Sequence, residues 1–179
     1  IAKTLKRADM LITDTETTRQ EVAAYFGWPL DKIRAVPLAC STDFKPRNKA
    51  TLSTVLTKHG LTMQGYSLYV GTIEPRKNLD VLLDAYLLLP LAVRQQWPLI
   101  LVGYQGWRSE HLHERIKAAV SEGWARYLGF VEATELPLIY AGARVFVFPS
   151  LYEGFGLPVL EAMASGIPVV CSNASTLPE

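Results

Sequence analysis

Ser150-Leu-Tyr-Glu-Gly-Phe-Gly-Leu-Pro-Val-Leu-Glu-Ala-Met-Ala-Ser-Gly166, entered from the apolar run Arg144-Val-Phe-Val-Phe-Pro149, reads as a strand, a glycine loop and a helix opened by Pro158. A glycine loop running into a helix N-terminus presents unpaired N–H groups and the positive end of the helix dipole, a combination that suits a phosphate. Glu153 stands on the loop and Glu161 about one turn into the helix, so two carboxylates flank one anion-ready crevice. Such a pair fits two separate hydroxyl clusters of one phosphorylated ligand.

The same unit recurs upstream. Ser67-Leu-Tyr-Val-Gly-Thr72 passes through Glu74-Pro-Arg-Lys-Asn78 into an amphipathic segment over 79–88, with Asn78 as its expected N-cap and Leu82, Leu83, Tyr86 and Leu87 as its core stripe. Strands over 98–103 and 126–131 precede helices over 109–120 and 134–141, and Pro168-Val-Val-Cys171 forms the next strand. Near-continuous apolar strands alternating with helices imply a doubly wound α/β fold, a parallel sheet with helices on both faces. Ligands then sit at the carboxyl ends of the strands, which places the turns 72–78, 103–108, 131–134 and 150–157 on one rim. No G-x-G-x-x-G follows the first strand, so a dinucleotide is not indicated.

Ahead of this sheet, residues 2–12 pass from a basic, helical pattern to the apolar Met10-Leu-Ile12; a helix over 17–26 stopped by Gly27 and a short strand over 32–37 follow. Residues 38–49, with Pro46, Asn48 and small polar residues, have a linker's composition, and a helix over 52–59 ends at Gly60. The expected organisation is an edge of a neighbouring domain over 1–37, a linker over 38–49, and one sheet domain over 50–179 that stops short of its own end.

With 18 basic against 17 acidic residues, the chain has no broad electrostatic footprint for nucleic acid, and anion binding must be local. The apolar run 85–93 is broken by Pro90 and falls well short of the roughly 20 residues of a spanning helix. Cys40 and Cys171 form no paired motif, and His111 and His113, two apart, point to different sides of a helix, so no metal site is expected.

Gly71-Thr-Ile-Glu-Pro-Arg-Lys-Asn78, Leu128-Gly-Phe-Val131, Pro149-Ser150, Glu153-Gly-Phe-Gly-Leu-Pro-Val-Leu-Glu161 and Ala164-Ser-Gly-Ile-Pro-Val-Val170 together resemble the C-terminal half of a GT-B-fold, retaining family 4 glycosyltransferase. The likeness runs over nearly the whole chain, and Ala8-Asp-Met-Leu-Ile-Thr-Asp-Thr-Glu-Thr-Thr-Arg19 resembles the end of that family's N-terminal domain. The resemblance implies a Rossmann-like half that binds a nucleotide diphosphate sugar without a metal or other cofactor. Glu153 would meet hydroxyls of the transferred sugar, and Glu161 the ribose. The backbone of Gly154, Phe155, Gly156 and Leu157 would approach the sugar and diphosphate. Lys77, with Arg76 beside it, would neutralise the departing diphosphate, and the backbone at Phe130 and Val131 would hold the base. After the first-strand glycine, Gly71, many members carry an arginine; Thr72 stands here instead, with Arg76 as the nearby cation.

The variant Gly-Thr-x-Glu-Pro-Arg-Lys-Asn is similar to mannosyltransferases that use GDP-mannose. The acceptor, a glycan or lipid-linked sugar, would be held by the N-terminal domain. The expected location is cytoplasmic, with any membrane attachment peripheral and carried by that domain. A non-catalytic nucleotide-sugar module and a phosphorylase-like enzyme on the same fold are the competing readings, and a fragment without its acceptor half is expected to be inactive. Tyr104 and Trp107 on a rim turn fit packing as well as nucleotide contact.

Overall fold

A computed structural model describes residues 5 and 7–179, so most of the basic opening segment lies outside the described residues. Five parallel strands form the main sheet: β3 (Ser67–Val70), β4 (Leu99–Val102), β5 (Ala125–Gly129), β6 (Val145–Phe148) and β7 (Val169–Cys171), in the order β5-β4-β3-β6-β7. Every residue of β3 and β4 is buried, as strands covered on both faces must be. The crossover helices are α3 (Leu79–Leu87) and the short α4 (Leu91–Gln96) between β3 and β4, α5 (Glu110–Ser121), α6 (Leu136–Gly142) and α7 (Leu157–Ala164), with α2 (Lys49–Lys58) leading into β3. Because strand order reverses at β3, right-handed crossovers put the helices before the reversal on one face and those after it on the other; α3 packs with α5, while α6 packs with α2 and α7. This is the doubly wound architecture.

The core is unusually aromatic. Phe44 meets Tyr140 edge-on at 5.3 Å between ring centroids, Tyr140 meets Phe146 at 5.3 Å, Phe146 stacks on Phe148 at 5.8 Å, and Phe148 on Tyr69 at 6.0 Å. Phe44 therefore pins the 38–49 segment to the sheet domain, and α2 begins at Lys49 within that segment because Asn48 Oδ1 accepts the Thr51 N–H at 2.9 Å.

A second, two-stranded parallel sheet precedes it: β1 (Leu11–Thr13) and β2 (Ile33–Ala35), linked by α1 (Glu16–Phe26). Thr15 caps α1 by accepting the Thr18 N–H at 3.1 Å, and Gly27 ends the helix in the left-handed region at φ 66°. Arg19 ties the unit together, donating to the carbonyls of Ile33 and Leu30.

Two local expectations are corrected. Asn78 precedes α3 but does not cap it: its backbone is left-handed at φ 56°, and its side-chain amide donates to the Pro149 carbonyl at 3.2 Å, joining the rim turns after β3 and β6. Leu87 leaves the core stripe and is 49% exposed, because at 3.6 residues per turn it lies about 90° around the helix from the middle of the face that Leu79, Leu82, Leu83 and Tyr86 bury.

Candidate functional site

The strand order reverses between β3 and β6, and the turns at their carboxyl ends meet there, the position at which doubly wound sheets hold ligands. After β3, Pro75–Lys77 form a single 3-10 turn. After β6, the chain bends through Ser150 to Glu153. Leu151 N donates to the Arg76 carbonyl at 2.9 Å, so the two turns are joined through backbone as well as through Asn78.

This juxtaposition assembles a charged cluster. Lys77 Nζ donates to Glu153 Oε1 at 2.6 Å, Arg76 Nη1 to Glu153 Oε2 at 2.8 Å, and Ser150 Oγ to Glu153 Oε1 at 2.6 Å. Arg76 also donates to Glu74 at 2.7 Å. Lys77 and Glu153 are each only 8% exposed, and the ammonium lies 5.1 Å from the centroid of the buried Phe148 ring. Burial pushes the Glu153 carboxyl up, but the hydrogen bonds from Lys77, Ser150 and Arg76 outweigh it and hold the group below the usual carboxylate range. Glu153 is thus an ionised, saturated carboxylate facing two cations, rather than the open wall of a crevice that the sequence suggests. The charge of Arg76 is shared between two carboxylates, and Thr72, exposed at the end of β3, brings no cation of its own.

The glycine loop leads from Glu153 into α7. Gly156 is the residue before the helix, at φ 105°, and a Cβ there would lie 2.6 Å from the Leu177 side chain; no other residue type fits without displacing it. Gly154 and Leu157 are exposed, and Phe155 is partly so. The loop is braced from the segment after β7: Ser175 Oγ and Thr176 Oγ1 donate to the Glu153 carbonyl at 2.8 and 3.1 Å, and Thr176 also reaches the Phe155 carbonyl at 3.1 Å. A cleft of about 410 Å³ opens beside Phe155 and Gly156, with Thr15, Leu38, Leu160 and Leu177 in its wall; Lys77 and Glu153 do not line it.

Glu161 is not brought to the Lys77 cluster. It sits half-buried near Tyr140, where burial raises its carboxyl above the usual range and the neighbouring hydroxyl opposes the rise. The Tyr140 hydroxyl is itself buried and, among the described residues, has no partner of hydrogen-bond geometry.

The remaining rim turns converge as well. Ile73 N donates to the Tyr104 carbonyl and Gly106 N to the Ile73 carbonyl, both at 2.9 Å, stitching the turn after β4 to the one after β3. The contact is close enough that a Cβ at Gly103 would lie 2.1 Å from the Gly71 carbonyl oxygen. Val131 is buried, whereas Phe130, 56% exposed, stacks on exposed Tyr104 at 5.3 Å and 22°. Among the described residues no group of three or more His, Cys, Asp or Glu is placed to hold a metal, and no helix is long and apolar enough to cross a membrane.

Residues 56–179 match the family described as glycosyl transferases group 1. The chain belongs to this family. Among relatives of this glycosyltransferase segment, the O-antigen chain mannosyltransferase B of Escherichia coli is 50% identical over 177 residues, covering 99% of this chain and 46% of the relative. The serotype-specific mannosyltransferase WbdA of Escherichia coli is 34% identical over 180 residues, covering 97% of this chain and 22% of the relative. The segment therefore spans less than half the length of these relatives. A crystal structure of Anabaena Alr3699/HepE in complex with UDP and glucose superposes with a TM-score of 0.80 at 21% identity, over 96% of this chain and 46% of that one, which places the fold as half of a GT-B glycosyltransferase.

Three features of the site were not singled out from sequence. Ser150 was read as the end of a strand; its hydroxyl in fact orients Glu153. Ser175 and Thr176 brace the loop from a distant part of the chain, and the available signal was a run of small hydroxyl residues directly after a rim strand. The stacking of Tyr104 on Phe130 depends on two loops meeting and had no signal in either one alone.

Proposed function

We propose that this chain is the donor-binding half of a retaining hexosyltransferase that moves mannose from GDP-mannose to an acceptor hydroxyl, with the linked acceptor-side domain supplying the other face of the cleft. The observation that carries this reading is the cluster of Lys77, Arg76 and Glu153 at the strand-order reversal, in front of the glycine loop and the N-terminus of α7. When a glycosyl–phosphate bond breaks, negative charge develops on the leaving diphosphate. An ammonium already desolvated and fixed at that point lowers the barrier without reorganising, the kind of contribution usually worth about 3 kcal/mol. Glu153, held ionised between the two cations, orients them and is available to sugar hydroxyls once the diphosphate shares Lys77. Phe130 and Tyr104 present an exposed aromatic face to the base, and Glu161 a carboxylate to the ribose. The site requires no metal in this reading. Residues 1–37 are taken as the edge of the acceptor-side domain.

The relatives named as mannosyltransferases favour mannose. The structural neighbour captured with UDP and glucose favours a uridine donor as the second reading. Titration calorimetry with GDP, GDP-mannose, UDP-glucose and ADP-glucose separates them: guanine nucleotides should bind at least ten times more tightly than the others. Lys77→Met should weaken diphosphate-bearing ligands far more than guanosine. Equal losses for nucleoside and diphosphate, or no nucleotide binding by a folded sample, would overturn the assignment.

A further inference from the structure

The N–H groups at the start of a helix have no partner within it and must find one elsewhere. In α1, Thr15 takes that of Thr18, but those of Glu16 and Thr17 go to a residue 163 and 162 positions away: Glu179 Oε2 accepts the Glu16 N–H at 2.8 Å and Oε1 the Thr17 N–H at 2.7 Å. The Thr17 hydroxyl donates to the same Oε1. A carboxylate is what the positive end of a helix dipole favours, and these bonds, that of the Thr17 hydroxyl first, hold the Glu179 carboxyl below the usual range. Half-way along α1, the Tyr152 hydroxyl donates to the Glu21 carboxylate. The helix is thus gripped at two points by side chains of the sheet domain.

Both grips come from segments that fix Glu153. Tyr152 directly precedes it, and the Tyr152 carbonyl accepts from the same Arg76 Nη1 that donates to the Glu153 carboxylate. Glu179 lies three residues past Thr176, in a turn closed by its own N–H donating to the Thr176 carbonyl at 3.1 Å, and the Ser175 and Thr176 hydroxyls donate to the Glu153 carbonyl. One short segment therefore holds α1 with one end and the Glu153 loop with the other. Glu21, Tyr152 and Glu179 are exposed, and bonds between exposed groups compete with water, so each is individually weak. Such a grip opens and closes without unfolding either of the parts it joins.

We propose that Tyr152 and Glu179 are positioning residues: they hold α1, on the unit taken above as the acceptor-side edge, in a set place against the loop that carries Glu153. A sugar held at Glu153 then tightens the grip, and by reciprocity the grip tightens the sugar by the same factor. The sugar's part in this rests on the donor reading; the grip itself does not.

Amide hydrogen exchange and titration calorimetry on the 179-residue chain test the two parts separately. Glu179→Ala should speed exchange at the Glu16 and Thr17 amides about tenfold and leave the buried Ile100 and Leu101 amides of β4 unchanged. GDP-mannose and UDP-glucose are each compared with their nucleoside diphosphate. Whichever sugar nucleotide binds should slow exchange at Glu16 and Thr17, and its diphosphate alone should not. Tyr152→Phe combined with Glu179→Ala should abolish that slowing and weaken the sugar nucleotide about tenfold at unchanged diphosphate affinity, a split that merely structural contacts would not produce. Tyr152→Phe alone, which removes one exposed hydroxyl, should give the same split at smaller size. Unchanged exchange at Glu16 and Thr17 in Glu179→Ala would overturn the grip, whether or not any nucleotide binds. Faster exchange with equal losses for sugar nucleotide and diphosphate, or with no loss for either, would overturn the positioning role. If the unsubstituted chain binds no nucleotide, the donor reading fails and the sugar coupling with it, while faster exchange in Glu179→Ala would still support the grip.

Discussion

A double-mutant cycle on Lys77 and Glu153 tests the central geometry. Replacing Lys77 by Met keeps an unbranched side chain but removes the ammonium beside Phe148 and its charge-assisted hydrogen bond of 2.6 Å; Glu153 retains Ser150 and Arg76. A loss of about 2 kcal/mol follows. Replacing Glu153 by Gln leaves a nearly buried ammonium without its counter-charge and turns an amide NH2 or carbonyl toward a second cation, Arg76. Breaking a buried pair from this side costs roughly 3 kcal/mol or more. Once Glu153 is neutral, however, Lys77 is a burden, so the double variant should lose only about 2–3 kcal/mol, and the coupling is then about 2–3 kcal/mol. For a chain of this length the Glu153→Gln loss corresponds to a drop of roughly 6–12 °C in unfolding midpoint. Urea unfolding with an unchanged slope is the assay. The coupling should fade in acid, because a carboxyl held below its usual range supplies stability above the unfolded pKa of about 4.3, and that stability is lost as pH falls through the lower folded value. Additivity within about 0.5 kcal/mol would refute the account of the cluster.

Glu161 should behave with the opposite sign: burial raises its folded pKa, so ionising it costs stability as pH rises from the unfolded value toward the folded one, and Glu161→Gln should gain stability over wild type across that window. Parallel midpoint-versus-pH curves for the two proteins would contradict this. Gly103→Ala should destabilise by more than about 4 kcal/mol, since its Cβ would lie 2.1 Å from the Gly71 carbonyl oxygen in a backbone at φ 141°. A soluble variant with wild-type circular dichroism and melting would show that the two rim turns do not approach so closely. Phe130→Ala should leave stability within about 0.5 kcal/mol, because the ring is more than half exposed, yet weaken nucleotide binding by about 1 kcal/mol through lost stacking. A matching loss for ribose phosphate, which has no base, would reassign the ring to packing.

The fold was legible in the sequence because its signals are local and repeated. Apolar runs of four or five residues separated by helices leave little alternative to a parallel sheet, and Gly27 and Gly60 stop their helices in the left-handed backbone that their identity suggests. The pairing of Lys77 with Glu153 was not legible. The residues are 76 positions apart, and only the reversal of strand order between β3 and β6 brings their turns together. Asn78 illustrates the same limit at short range: its identity fits an N-cap, but its left-handed backbone at φ 56° does not aim Oδ1 at the helix, and its amide N–H instead reaches the Pro149 carbonyl in the turn after another strand. Leu87 was misplaced because it stands at the edge of the apolar stripe, about 90° around the helix from the middle of the buried face, where the residue's identity alone does not say whether it is covered.

The closed Lys77–Glu153 pair also bears on how such a site can await a ligand. Burying a charge is costly unless it is paired. Glu153 supplies the counter-charge to the buried Lys77 ammonium, and Ser150 and Arg76 keep Glu153 ionised in turn. On the proposed donor reading, a diphosphate entering in front of the glycine loop would offer Lys77 a second anion of similar hydrogen-bonding capacity, so that binding would be an exchange of partners rather than the creation of a new buried charge. The carboxylate, released from part of its contacts, would then face the sugar while still supported by Ser150. Ser150 would set the direction in which Glu153 points once Lys77 turned to the phosphate. The Ser175 and Thr176 bonds to the Glu153 carbonyl keep the loop from following it.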